Sequence, residues 1–194
     1  SEPNMPLTKR DRLIAVGSYQ WQKGFDFVIR AYAASKARNQ FRLHLFGQSQ
    51  FAYCATLRAL VQRLGLPRDS VIFHEGVSGE ALLAAYRQAR LVLSGSHTEC
   101  QPLVLLDANA TGTPFVARST GCIATMPGGV AVNTLEEMAC QMDLLIDGGT
   151  SWQFFATAGL RAAREIYHPN NTARQLLDAL GSMQAGSSKN TIEE

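Results

Sequence analysis

The sequence predicts an α/β fold, a Rossmann-like parallel sheet with helices on both faces. Two observations predict it. Short apolar runs that end at glycine alternate with segments of helical spacing from residue 12 onward. Strict alternation of this kind lays each strand parallel to the last and places its connecting helix over one face. The 194 residues, 46% hydrophobic and 18% charged, suit one globular domain with a full core.

Residues 1–11 are polar, contain two prolines and read as a linker or remnant ahead of the domain. Leu13 to Val16 form the first strand, stopped by Gly17. Phe25, Val28, Ile29, Tyr32 and Ala33 then keep the spacing of an amphipathic helix. Phe41, Leu43, Leu45 and Phe46 make the second strand, ending at Gly47. Leu57, Leu60, Val61 and Leu64 give the next helix, closed by Gly65 and Pro67. Val71 to Phe73 are the third strand, ending at Gly76. Leu82, Leu83 and Tyr86 mark a short helix, with Ser78 as its expected cap.

The fourth strand is 91–94, followed by a helix over about 102–110 in which Pro102 suits the first position. Phe115 to Ala117 are the fifth strand, residues 118–129 a glycine-rich loop, and Val130 to Val132 a sixth short strand. The box Thr134-x-x-Glu137 starts a helix reaching about Ile146. Helical patterns at 152–166 and 171–181 close the domain, expected over 12–182, and a frayed tail is expected over 183–194.

Bulk properties exclude several classes. A net charge of +2 argues against nucleic acid as a partner. No apolar run approaches the roughly 18 to 20 residues of a membrane span, and no signal-peptide pattern is present. Cys54, Cys100, Cys122 and Cys140 lack zinc-like spacing, so reduced thiols in a cytoplasmic protein are expected. No Asp-x-Asp, Gly-x-Ser-x-Gly, phosphate-loop or dinucleotide fingerprint occurs, and no metal ligands are assigned. The chain opens at Ser1, which reads as processing or as a piece of something longer.

In parallel sheets the ligand sits beyond the carboxyl ends of the strands. There the stretch 98–115 places Glu99 in a loop and Asp107 one to two turns into the following helix. A helix start attracts anions through its free N–H groups and dipole. One carboxylate before that start and one after it can hold hydroxyl groups on either side of a bound phosphate, as a sugar nucleotide requires.

The strand ends carry VGSYQWQKGFDFVIRAY at 16–32, LHLFGQ at 43–48, LGLPRDSVIFHEGVS at 64–78 and the acidic pair. In this order and spacing they resemble the nucleotide-sugar half of GT-B glycosyltransferases, in particular the retaining group 1, family 4-like enzymes. The resemblance runs from about residue 12 to about 180. It implies one half of a two-domain GT-B fold, whose missing N-terminal domain binds the acceptor. Any peripheral membrane contact would come through that domain. The implied donor is a UDP-, GDP- or ADP-sugar, with no separate cofactor.

Residue by residue, Glu99 matches the catalytic glutamate that reaches the transferred sugar, and Asp107 the acid that grips the ribose hydroxyls. Lys23 matches the diphosphate-binding lysine. Gly17 allows close approach of backbone to phosphate, and Gly47 with Gly76 and Val77 matches segments around the base. Ser18, Gln101 and Leu103 complete the implied donor-binding set. Two departures stand out. Ser18 replaces the family's arginine, with Arg118 the nearest candidate to compensate, and Cys100-Gln101-Pro102 replaces Gly-Phe-Gly. Pro102 removes an N–H donor, and Cys100 is expected as a small packed residue. The alternative implied by these changes is a catalytically degenerate nucleotide-sugar-binding or partner-binding module.

Overall fold

The computed structural model describes residues 6–48, 51–168 and 170–171. Six strands are defined there: β1 (Arg12–Val16), β2 (Arg42–Gly47), β3 (Val71–Glu75), β4 (Ala89–Ser94), β5 (Phe115–Arg118) and β6 (Gly129–Val132). The helices are α1 (Phe25–Ala34), α2 (Phe51–Arg63), α3 (Gly79–Gln88), α4 (Leu103–Ala110), α5 (Leu135–Leu145) and α6 (Thr150–Glu165). All strand pairs are parallel, in the order β3-β2-β1-β4-β5-β6. Apart from residue 171, the helix expected over 171–181 lies outside the described residues, as does the tail over 183–194.

The central strands read as continuous apolar runs because both of their faces are covered. Leu13 and Ala15 of β1, and Leu91 and Leu93 of β4, pack with Val28 and Ile29 of α1, Leu57 and Leu60 of α2, and Met138 and Met142 of α5. The alternate residues Ile14 and Val92 face Ala85 and Tyr86 of α3 and Leu105 and Ala108 of α4. The chain winds outward from β1 to β3, then crosses by α3 to β4 and winds the other way. With crossovers of one hand, that reversal puts α1 and α2 on one face and α3 and α4 on the other.

Local chemistry sets the helix ends. Thr134 Oγ1 accepts from the Glu137 N–H at 3.1 Å, and the Glu137 carboxylate accepts back from the cap backbone, closing the expected box on α5. Pro102 stands one position earlier than expected, as the cap residue of α4 in extended conformation, and its carbonyl accepts from Leu105 at 2.9 Å. Ser78 occupies the cap position of α3, but its hydroxyl makes no capping bond.

The segment before β1 differs from the linker that composition suggested. Leu7–Lys9 make a 3-10 turn, and the Arg10 side chain is buried against the domain. Its guanidinium donates to the Ala89 carbonyl at 3.0 Å, Thr113 Oγ1 at 2.6 Å and the Thr111 carbonyl at 3.1 Å. It also lies 5.3 Å from the Trp152 ring centroid. Burial, then Arg90, lowers its pKa to about 10. A single polar residue tying three distant segments leaves no periodic signal in the sequence.

Candidate functional site

The strand order reverses between β1 and β4, so the loops after these strands diverge to opposite faces and open a crevice. Of the residues read from sequence, Gly17, Ser18, Gly47 and Val77 line a cleft there, and Lys23 meets Glu99. After β1 the chain passes Gly17 and Ser18 into a 3-10 turn, Trp21–Lys23, and enters α1 at Gly24. After β4 it passes Gly95 and Ser96 to Glu99, then reaches α4 at Pro102. The two loops interlock through backbone. Gly24 has φ 57°, and a Cβ there would lie 1.9 Å from the Gly95 carbonyl oxygen. The His97 N–H donates to the Gln22 carbonyl at 2.8 Å.

This clasp brings Lys23, Ser96 and Glu99 together. Lys23 Nζ pairs with Glu99 Oε1 at 2.8 Å, with the lysine side chain 35% exposed and the glutamate 11%. Ser96 Oγ donates to the same carboxylate oxygen at 2.8 Å. Lys23 and Glu99 are 76 residues apart in the chain. Ser96 and Gln22 are the site residues that sequence reasoning missed. Ser96 could have been found, because it stands three before Glu99 in a Ser-x-x-Glu pattern. Gln22 could not: its carbonyl accepts from Ser96 and His97, while its side-chain oxygen is buried without a partner.

The glycines are explained mainly by close approach. A Cβ on Gly47 would stand 2.5 Å from the Gly17 carbonyl oxygen, and one on Gly17 would touch the Lys23 stem at 3.3 Å. Gly76 has φ 69° and its N–H donates to the Gly47 carbonyl at 3.1 Å. A cleft of about 200 Å³ opens beside them, lined by Gly17, Ser18, Phe46, Gly47, Gln48, Val77 and Leu82. Its walls are the β1, β2 and β3 ends that the sequence assigned around phosphate and base.

On the other side of Glu99, Gln101 is exposed, and Leu103 presents an apolar side chain 68% exposed at the first turn of α4. Asp107 faces solvent from the next turn, yet loss of water on its protein side raises its carboxyl pKa. Cys100 is exposed, not packed, because its loop runs along the rim of the crevice. Arg118 is engaged elsewhere than beside Ser18: its guanidinium meets His97 Nδ1 at 2.9 Å and lies 5.2 Å from the Phe27 ring centroid. Among the described residues, no group of three or more His, Cys, Asp or Glu is placed to hold a metal. No helix among them is long and apolar enough to cross a membrane.

Chemically, the crevice offers a lysine paired with a carboxylate beside a helix N-terminus, with a second carboxylate, Asp107, exposed on the next turn of that helix. Such a set suits a ligand with a central anion flanked by hydroxyl groups.

Comparison with known proteins agrees with this geometry. The profile of a family described as "Glycosyl transferases group 1" matches residues 10–147. A D-inositol 3-phosphate glycosyltransferase of Acidothermus cellulolyticus is 31% identical over 179 residues, covering 85% of this chain and 39% of the relative. That of Xylanimonas cellulosilytica is 31% identical over 175 residues, covering 86% and 41%. The chain thus spans about two fifths of the length of these relatives. Among solved structures, sucrose-phosphate synthase of Thermosynechococcus elongatus superposes with a TM-score of 0.77 at 23% identity, over 94% of this chain and 47% of that one. Anabaena HepE in complex with UDP-glucose gives 0.74 at 22%, over 89% and 49%. The C-terminal domain of the Francisella tularensis group 1 protein LpcC gives 0.70 at 19%, over 87% of this chain and 95% of that one. The chain belongs to the group 1 glycosyltransferases and has the GT-B fold of their C-terminal domain.

Proposed function

We propose that this chain is the donor-binding domain of a retaining, metal-independent glycosyltransferase. It holds a nucleoside diphosphate sugar while a separate N-terminal domain presents the acceptor. The observation that carries the reading is the Lys23–Glu99 pair at the crevice where the strand order reverses.

When a donor enters, Lys23 turns from Glu99 to the diphosphate and offsets the charge that grows on it as the glycosidic bond breaks. The N-terminal turn of α4 lies at the same crevice and favours the same anion. Glu99, released from Lys23 and still held by Ser96, accepts from sugar hydroxyls and stabilises positive charge at the anomeric carbon. Asp107 accepts from the ribose hydroxyls, and the cleft lined by Gly47 and Val77 receives the base. HepE was solved with UDP-glucose, which makes UDP the first nucleotide to test. The relatives named D-inositol 3-phosphate glycosyltransferase favour a polyol phosphate as the first acceptor to test in a longer protein.

Calorimetry of the chain with UDP, GDP and ADP tests the reading. One of them is expected to bind, and Lys23→Ala to weaken it about 10- to 100-fold through loss of a charge-assisted contact. No heat with any of the three at millimolar concentration would favour a degenerate module. The chain alone is expected to transfer no sugar. In a two-domain protein, Glu99→Ala should lower kcat more than it changes donor affinity.

A further inference from the structure

The loops that follow β4 and β5 meet along the rim of the crevice, and each carries an exposed cysteine. Gly121 approaches Glu99 so closely that a Cβ there would stand 1.8 Å from the Glu99 carbonyl oxygen and 3.9 Å from Cys100 Cα. The next residue, Cys122, donates its thiol to the Cys100 carbonyl at 3.1 Å. A carbonyl oxygen stands about 2.4 Å from its own Cα, so the Cys122 sulfur is at most about 5.5 Å from Cys100 Cα. A sulfur stands about 2.8 Å from its own Cα, so the Cα atoms of Cys100 and Cys122 are at most about 8.3 Å apart, against the roughly 4.4 to 6.8 Å that a disulfide spans. Rotation of two exposed side chains and a small movement of the 119–123 loop bring the sulfurs together. Of the other thiols, Cys54 is buried and Cys140 lies on α5.

We propose that Cys100 and Cys122 are an oxidisable dithiol, a modification site that a hydroperoxide converts into a disulfide across the rim of the crevice. The Cys122 thiolate attacks one peroxide oxygen, the O–O bond breaks, and hydroxide leaves with the bonding pair, giving a sulfenic acid. The Cys100 thiolate then attacks that sulfur, the S–S bond forms, the S–O bond breaks, and the departing hydroxide takes a proton to become water. Two thiols and one hydrogen peroxide give one disulfide and two waters. The sulfur pair loses the two electrons that the peroxide gains.

Cys100 follows Glu99 directly, so the new bond turns the 99–100 peptide toward the 119–123 loop and draws Glu99 away from Lys23 and Ser96. This consequence rests on the donor-site reading, whereas the linkage does not.

The test treats the native chain with stoichiometric hydrogen peroxide, blocks remaining thiols and maps the peptides by mass spectrometry. The expected product joins residues 100 and 122 with loss of two hydrogens. It reverts with dithiothreitol and is absent from Cys122→Ser and from Cys100→Ser. Sulfinic acid at either position without the link, or a disulfide through Cys140, overturns the proposal. Titration with UDP-glucose then reads the consequence: about tenfold weaker binding in the linked protein, restored by reductant, and no response to peroxide in Cys122→Ser. Unchanged affinity in the linked protein overturns the effect on Glu99. A reduced protein that binds no nucleotide or nucleotide sugar counts against the donor-site reading and leaves the mapped linkage standing.

Discussion

Replacing Glu99 by glutamine should tighten the binding of a bare nucleoside diphosphate. Lys23 Nζ is engaged by Glu99 Oε1 at 2.8 Å. A diphosphate must therefore compete with that carboxylate for the lysine. The bare attraction of such a pair is about 6 kcal/mol at an effective dielectric near 20. Desolvation and side-chain ordering offset most of it, and partly exposed pairs contribute on the order of 1 kcal/mol net. With the lysine side chain 35% exposed, that lower figure applies. Glutamine keeps the shape and an acceptor for Ser96 but removes the charge. Kd for UDP should fall about fivefold, and the gain should shrink as salt is raised. Glucose-bearing UDP should show the opposite sign, because its hydroxyls lose a charged acceptor. Calorimetry with both ligands on both proteins decides it. UDP binding that is unchanged or weaker in Glu99→Gln would refute the idea that Lys23 trades Glu99 for phosphate.

Other predictions concern the frame of the site. Gly24→Ala should cost more than about 3 kcal/mol in urea denaturation, since it combines positive φ with a Cβ 1.9 Å from a backbone oxygen. A cost under 1 kcal/mol would mean that the two loops do not clasp. Thr134→Ala should cost about 1 kcal/mol by removing the box at the start of α5, with nucleotide affinity unchanged. Arg10→Ala should cost roughly 3 kcal/mol, because three buried acceptors on two segments lose their donor; an unaffected midpoint would return residues 6–11 to the status of a linker. His44, 2.9 Å from His74, has its pKa lowered to about 4 by burial first, then by Arg12 and His74. The unfolded imidazole titrates near 6.5, so the unfolded state binds the extra proton between these values. Stability is therefore full above pH 6.5 and falls as pH drops toward about 4. His44→Gln should flatten that slope, and an unchanged slope would remove His44 as its source.

The fold was legible from the order of its strands and helices because the central strands are buried on both faces. Leu13 to Val16 and Leu91 to Ser94 stand out against any neighbouring pattern, and glycine ends the first at the crevice. One boundary shifted by a residue: Pro102 sits at a cap, one residue before the helix, since its carbonyl and not its ring starts the hydrogen-bonded turn. Arg10 was invisible because a guanidinium satisfied by distant carbonyls looks like any polar residue near a terminus.

The candidate site divides in the same way. Sequence by itself determined the chemical types at the strand ends, namely one lysine, two carboxylates eight positions apart and a set of glycines, because chemistry is carried by residue identity and local spacing. It also determined that these types lie at carboxyl ends of parallel strands, since alternation fixes strand direction. Only the tertiary structure decided that Lys23 and Glu99 pair across 76 residues of chain. It alone placed Arg118 on His97 and Phe27, and Cys122 on Cys100. Each of these contacts joins residues through a reversal of strand order or a loop crossing, and neither has any local period in the chain.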